Sequence, residues 1–311
     1  MKKVVSVSLG SSSRNHKAET EILGEKFIIE RIGTDGDRKK AIEIIKELDG
    51  KVDAFGMGGI DLYLFSRNKK YLLSSALPIK KAAQKTPIVD GSGLKNTLER
   101  MVIDYLTQEK IIDFKNKSIM ITSALDRFGM AESLESTGAE IFYGDVFYAL
   151  GIPYFLKSLD DLDKVAKVLL PVVRHFPFEL LYPTGNKQDK ENKPHKVKKI
   201  FEQVDILAGD FLYIQKNLPQ NLDNKIIITN TTTEKNLKQL KALGAKMLIT
   251  TTPEYQGRSF GTNVMEGVLI SLANKPWEEL TPRDYREILK QMNFTPRIVW
   301  LNEEDKRVQS V

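Results

Sequence analysis

Between Lys117 and Asp145 the chain reads KSIMITSALDRFGMAESLESTGAEIFYGD: an apolar run, a polar loop, an amphipathic stretch ending at Gly138, and a second apolar run closing on an acid. That is the order of a βαβ unit whose glycine-rich turn seats the pyrophosphate of a dinucleotide at a helix N-terminus. The three glycine positions of G-x-G-x-x-G fall here on Ala124, Asp126 and Gly129. Gly129 keeps the role that lets the helix lie close to the strand. Asp126 opposes a phosphate, since two like charges about 5 Å apart at an effective dielectric of about 20 repel by roughly 3 kcal/mol. Arg127 offsets that repulsion if it turns inward. Asp145, about 20 residues on, stands where an acid accepts from a ribose diol and so favours NAD over NADP. Cofactor contacts are therefore expected from Ala124, Asp126, Arg127, Gly129 and Asp145, with Thr231 to Thr233, or the loop of Arg258, available to a cofactor seated off the usual position. Thr184 and Gly185 are a further place for such a displaced cofactor.

Other polar and glycine-rich stretches have the same character: GSSSR at 10–14, GMGG at 56–59, DGSG at 90–93, TNTTT at 229–233 and TTTPEYQGRSFGTN at 250–263. Each follows an expected strand. Turn chemistry alone favours these residues, but the ends of parallel strands are also where helix N-termini converge on ligands. The last loop is long, rich in hydroxyls and carries Arg258, which makes it a candidate ligand contact.

The elements that must position these loops alternate along the chain. Strands are expected near 3–9, 27–32, 52–57, 86–89, 179–182, 205–208, 225–229, 246–250 and 297–301. Helices lie between them, among them one capped by Asp35 or Asp37 with Ala41, Ile44, Ile45 and Leu48 on one face. Thr231 and Glu234 stand at capping-box spacing before another. The pattern specifies an α/β chain of two domains with mostly parallel sheets, the second a doubly wound Rossmann-like domain. The boundary is expected at 113, giving domains 1–112 and 113–311, with 277–311 a candidate to pack back on the first.

Composition removes several classes of function. A chain of 311 residues with 41% hydrophobic and 28% charged residues has the mass for two cores. It has no cysteine and three histidines, none in an H-E-x-x-H arrangement, so no metal site is expected. The N-terminal run alternates with serines, no stretch reaches the roughly 20 apolar residues of a membrane span, and a cytoplasmic protein is expected. The net charge of +6 is spread among acids, and the basic run 187–199 lacks interleaved aromatics, so nucleic acid is not the expected partner. A small-molecule substrate is, with a homodimer as the candidate assembly. No tyrosine is followed four residues later by lysine, which argues against short-chain dehydrogenase chemistry.

Two further stretches carry a family resemblance. Pro78 to Ala83, PIKKAA, resembles the N-x-T-x-P-x-K lysine motif of shikimate and quinate dehydrogenases, and Asp90 to Leu94, DGSGL, resembles their N-T-D-x-x-G segment. The GSSSRNHK loop is similar to the family's S-x-S substrate loop, and the whole chain resembles bacterial proteins labelled quinate 5-dehydrogenase. Ser74, Ala76 and Val89 depart from the family's Asn, Thr and Thr. The resemblance implies hydride transfer between a nicotinamide and a cyclic hydroxy acid, with Lys80 taking the hydroxyl proton and Asp90 orienting it. Ser11, Ser13, Thr251 or Thr252 would then address ring hydroxyls, and Arg14, Lys17 and Arg258 the carboxylate. A reading of another class stands beside it: a binding or sensing protein that keeps the two-domain shell without hydride chemistry.

Overall fold

A computed structural model describes residues 1–67, 69–176, 195–255 and 258–302. The strand expected at 179–182, Thr184, Gly185 and much of the basic run 187–199 lie outside these. The chain forms two compact α/β units, each built on a mostly parallel sheet, one of five strands and one of six. The first comprises Met1–Leu98, the described part of Ala166–Asp189, and Phe260–Phe294. The second comprises Glu99–Val165 with the described parts of Lys190–Ser259 and Thr295–Val311. Where the sequence suggested one cut at 113, the chain passes between units repeatedly, first within the helix Ser92–Gln108. Of the segment 277–311, residues up to Phe294 belong to the first unit, and the strand that follows them belongs to the second sheet.

In the first unit, β1 (Lys2–Ser8) is the centre of the sheet. Around it lie β2 (His16–Ile22), β3 (Glu25–Gly33), β4 (Ala54–Gly58) and, after the hairpin β5 (Tyr63–Ser66) and β6 (Lys69–Leu72), β7 (Ile88–Val89). The order is β2-β3-β1-β4-β7, parallel except for β2 against β3. The helix Arg38–Leu48 starts where Asp37 accepts from the Lys40 N–H and turns Ala41 and Ile45 inward. They join Val5, Val7, Phe55 and Met57 in one apolar layer. The other face is covered by the helix Thr262–Leu272, which arrives from far along the sequence: Asn263 Nδ2 donates to Ser6 Oγ at 2.7 Å.

The second sheet is built from β8 (Ser118–Ile121), β9 (Glu140–Tyr143), β10 (Ile206–Gly209), β11 (Ile226–Thr229) and β12 (Met247–Thr250). After the short hairpin β13 (Glu254–Tyr255) and β14 (Arg258–Ser259) comes β15 (Arg297–Trp300). The order is β15-β12-β11-β10-β8-β9, with only β15 antiparallel. The direction of winding therefore reverses between β8 and β10, which is where a sheet of this kind opens for a ligand. Its last apolar row reads Tyr143, Ile121, Ala208, Ile228 and Ile249 across five strands. The next residue of each strand is Gly144, Thr122, Gly209, Thr229 or Thr250, so apolar core gives way to polar edge at one level. The helix Glu234–Ala242 has a capping box formed by Thr233 and Asn236 rather than Thr231 and Glu234. Thr233 accepts from the Asn236 N–H while Asn236 Oδ1 accepts from the Thr233 N–H at 2.9 Å.

Candidate functional site

At the point where the second sheet reverses, the loop after β8 turns into the helix Phe128–Ser136, with Gly129 buried in its first turn. The Ala124 and Leu125 N–H groups point at Asp145, donating to its Oδ2 and Oδ1 at 3.0 and 2.9 Å. Asp145 is buried in the first turn of the helix Asp145–Leu150. Burial pushes its carboxyl up to about 6, against the pull of the Leu125 and Ala124 N–H groups. The backbone donors closest to where a pyrophosphate would lie are thus engaged by an acid of the chain itself, and that acid is the one expected to meet a ribose.

Arg127 does turn inward. Only 2% of it is exposed, and its guanidinium pairs with the buried Glu99, with Asp210 at 3.5 Å and with Asp126 at 3.8 Å. The guanidinium is thus already engaged by three acids of the chain, which leaves it poorly placed to receive an added phosphate. Asp210 carries the network onward: it caps the helix Phe211–Lys216 through the Leu212 N–H at 2.8 Å and accepts from Asn230 Nδ2 at 2.8 Å. Thr229 Oγ1 donates to the Gly209 carbonyl at 2.8 Å. Gly209 has φ +124°, and a Cβ there would strike the Thr122 hydroxyl. Around this network the hydroxyls of Thr122, Thr232 and Thr251 are buried with no hydrogen-bond partner among the described residues. Thr231 lies half-buried beside Thr232, whose N–H donates to Ser259 Oγ at 3.2 Å. Thr232 and Thr251 were among the hydroxyls expected to meet a ligand; Asp210, Asn230 and Thr122 were not singled out from the sequence, and the common level of these residues at the ends of β8 to β12 was the available signal.

Lys80 and Asp90 both lie in the first unit and do not pair. Asp90 is buried, and its carboxylate accepts from the N–H groups of Leu62 (2.6 Å) and Tyr63 (3.3 Å) and from the N–H and hydroxyl of Ser92 (3.1 and 2.7 Å). Lys80 ends the short helix Leu77–Lys80, half-buried, and forms no hydrogen bond or ion pair with the described residues. Ser11 caps the turn Ser12–Arg14 by accepting from the Ser13 N–H, and the two serine hydroxyls lie 2.8 Å apart. Arg14 ends that turn. Arg258 stands on β14 opposite Tyr255; its side chain lies outside what the structure describes. Among the described residues no group of three or more acids or histidines could hold a metal ion, and no helix is long and apolar enough to cross a membrane.

Residues 93–301 match the family described as Domain of unknown function (DUF8754), and residues 3–90 match the one described as Domain of unknown function (DUF8753). No curated protein matches the sequence. Among solved structures the chain is similar to a galactofuranose binding protein at 11% identity, covering 94% of this chain and 99% of that one with a TM-score of 0.37. A periplasmic ribose ABC transporter from Conexibacter woesei DSM 14684 is similar at 10% identity, with coverages of 100% and 95% and a TM-score of 0.40. The hetero-hexameric glutamate dehydrogenase of Thermus thermophilus gives 10%, coverages of 94% and 74%, and 0.41. Scores this low carry no function across.

Proposed function

Since the chain belongs to the family described as Domain of unknown function (DUF8754), its role has to come from its own geometry, and we propose that it binds a small molecule without nicotinamide chemistry. One observation carries this reading: Asp145 holds the Ala124 and Leu125 N–H groups that a pyrophosphate would need. The carboxylates around Arg127 add to it. The seat is the reversal point between β8 and β10, and its ligand is uncharged or cationic and rich in hydroxyls. Asp210, Asn230 and the buried hydroxyls of Thr122, Thr232 and Thr251 are the groups to satisfy it. Hydroxyl donors on the ligand suit the acids, and its lone pairs suit the threonines.

The test is a thermal-shift series with NAD, NADH, NADP and NADPH beside a panel of uncharged polyols. A ligand at about 100 times its Kd contributes about 2.7 kcal/mol. The nucleotides should leave the melting temperature unmoved and at least one polyol should raise it. Saturable binding of a nucleotide would overturn the reading.

The quinate-type oxidoreductase is the second reading, supported by the parallel unit of β8, the helix Phe128–Ser136 and β9 with Gly129 buried at the helix start. It expects NAD to bind and Lys80→Ala to abolish turnover.

A further inference from the structure

The helix Ser92–Gln108 ends in a Schellman motif: the Lys110 N–H donates to the Thr107 carbonyl at 3.1 Å and the Ile111 N–H to the Leu106 carbonyl at 2.9 Å. The residue at its turning point takes a left-handed backbone, for which glycine is the ordinary choice. The helices Phe128–Ser136 and Glu234–Ala242 put Gly138 and Gly244 at the corresponding position, and the helix Pro282–Gln291 puts Asn293 there. Here the position holds Lys110, at φ +53°. A long side chain kept on a backbone that resists one asks for a reason outside local geometry. The helix dipole does not supply it, since a lysine anywhere in the last turn would serve without strain, and that turn carries no basic residue.

Lys110 lines a cavity of about 330 Å³ in the second unit, with Lys115 beside it from the turn before β8. Neither ammonium forms a hydrogen bond or ion pair with the described residues. Ile112 and Phe114, both buried, supply the apolar wall. The one acid of the lining is Asp113, whose Oδ1 accepts from the Lys115 N–H at 3.3 Å. Thr107 and Thr137 complete the lining but spend their hydroxyl protons on the Ile103 and Leu134 carbonyls, at 2.9 and 2.6 Å. The side-chain donors left to the cavity are the two ammoniums. Two lysines against one aspartate leave a surplus of one positive charge, and the volume is at the small end for a ligand pocket, with room for a ring or a short branched chain.

We propose that Lys110 and Lys115 seat the carboxylate of a small apolar monoanion, an aromatic or branched-chain acid whose body lies on Ile112 and Phe114. An anion between them eases the repulsion of two like charges brought to one cavity. The strain at Lys110 is then the cost of aiming its ammonium at the ligand. The lining residues precede β8 and β9, so this cavity is at the amino ends of those strands, whereas the polyol seat is at the carboxyl ends of the same sheet. Either site can fail alone.

Calorimetric titration of the whole protein at matched ionic strength tests it, with benzoate, phenylacetate and isovalerate each set beside its neutral amide. At least one carboxylate should bind saturably, and its amide at least tenfold more weakly. Lys110→Gly removes the ammonium and gives the backbone the residue it favours, so it should raise the melting temperature while weakening that carboxylate at least tenfold. A lysine that served only the helix would not separate the two readouts. Lys115→Ala should weaken binding likewise, and Lys26→Ala, which removes an exposed cation of the first unit, should leave affinity unchanged. Saturable binding by none of the three carboxylates overturns the proposal. So does an amide that binds as well as its acid, undiminished binding in Lys110→Gly, or a loss in Lys26→Ala as large as in Lys115→Ala.

Discussion

Glu266 lies on the buried face of the helix Thr262–Leu272 and receives the Tyr285 hydroxyl on Oε1 at 2.9 Å. Burial, and then the charge of Asp90, push its carboxyl up to about 8, with the Tyr285 hydroxyl, the Gly91 N–H and Lys70 pulling the other way. The native state therefore binds more protons than the unfolded chain between the ordinary value of 4.5 and about 8, and stability falls as the pH rises through that interval. Asp145 contributes a decline of the same sign, but only between 3.8 and about 6. Above pH 6 the loss belongs to Glu266. Glu266→Gln, which imitates the neutral acid, should flatten the melting temperature between about pH 6 and 8 and melt higher than the parent at the alkaline end. An unchanged slope would show that Glu266 is ionised throughout. At this scale the sequence was informative about position more than about role. Asp145 stands at the spacing of a ribose acid, yet whether such an acid faces outward or folds back on its own loop depends on which N–H groups are left for it. Asp90 likewise looks like the partner of a nearby lysine until the Leu62 and Tyr63 N–H groups, brought in by the turn before a hairpin, claim its oxygens.

Most strands were legible from their apolar runs, because parallel strands buried on both faces are β-branched throughout. Those of the second sheet lie within a residue or two of their expected bounds. The hairpins β5–β6 and β13–β14 were not among the expected strands, nor was β2, and one helix cap was misplaced. β2, HKAETEI, is an edge strand whose only signal is the alternation of Ala18, Thr20 and Ile22, and its polar half reads as loop. The capping box at Thr233 was hidden in a run of three threonines, any of which has a suitable hydroxyl; the choice falls to Thr233 because Asn236 answers it. The edge between β10 and β8 is set by Gly209. Gly209→Ala combines a left-handed φ with a collision against Thr122, and should destabilise the second unit by roughly 2–4 kcal/mol in urea unfolding. A cost under about 0.5 kcal/mol would mean that the strand end relaxes freely and that Thr122 is not held where the proposed ligand needs it.

For the whole chain, a two-domain α/β class followed from the alternation of elements, while the assignment of segments to units did not. Periodicity reports which face of a helix is apolar but not which sheet that face will meet, and the helix Thr262–Leu272 reads equally well in either unit. Its buried Val264, Met265, Val268 and Leu269 complete the first unit. A fragment of residues 1–112 should accordingly expose one face of its sheet, bind a hydrophobic dye and show no cooperative melt. A sharp thermal transition in that fragment would deny the helix its place in the first unit.

The bond between Asn263 and Ser6 joins positions 257 residues apart, and this sets a timetable for biosynthesis. At a translation rate of about 5–20 residues per second, the amino-terminal sheet emerges on the order of 10–50 s before the helix that closes it. The nascent chain must pass that interval with one side of β1 and β4 open to water, a period in which a holdase on the ribosome has a surface to protect.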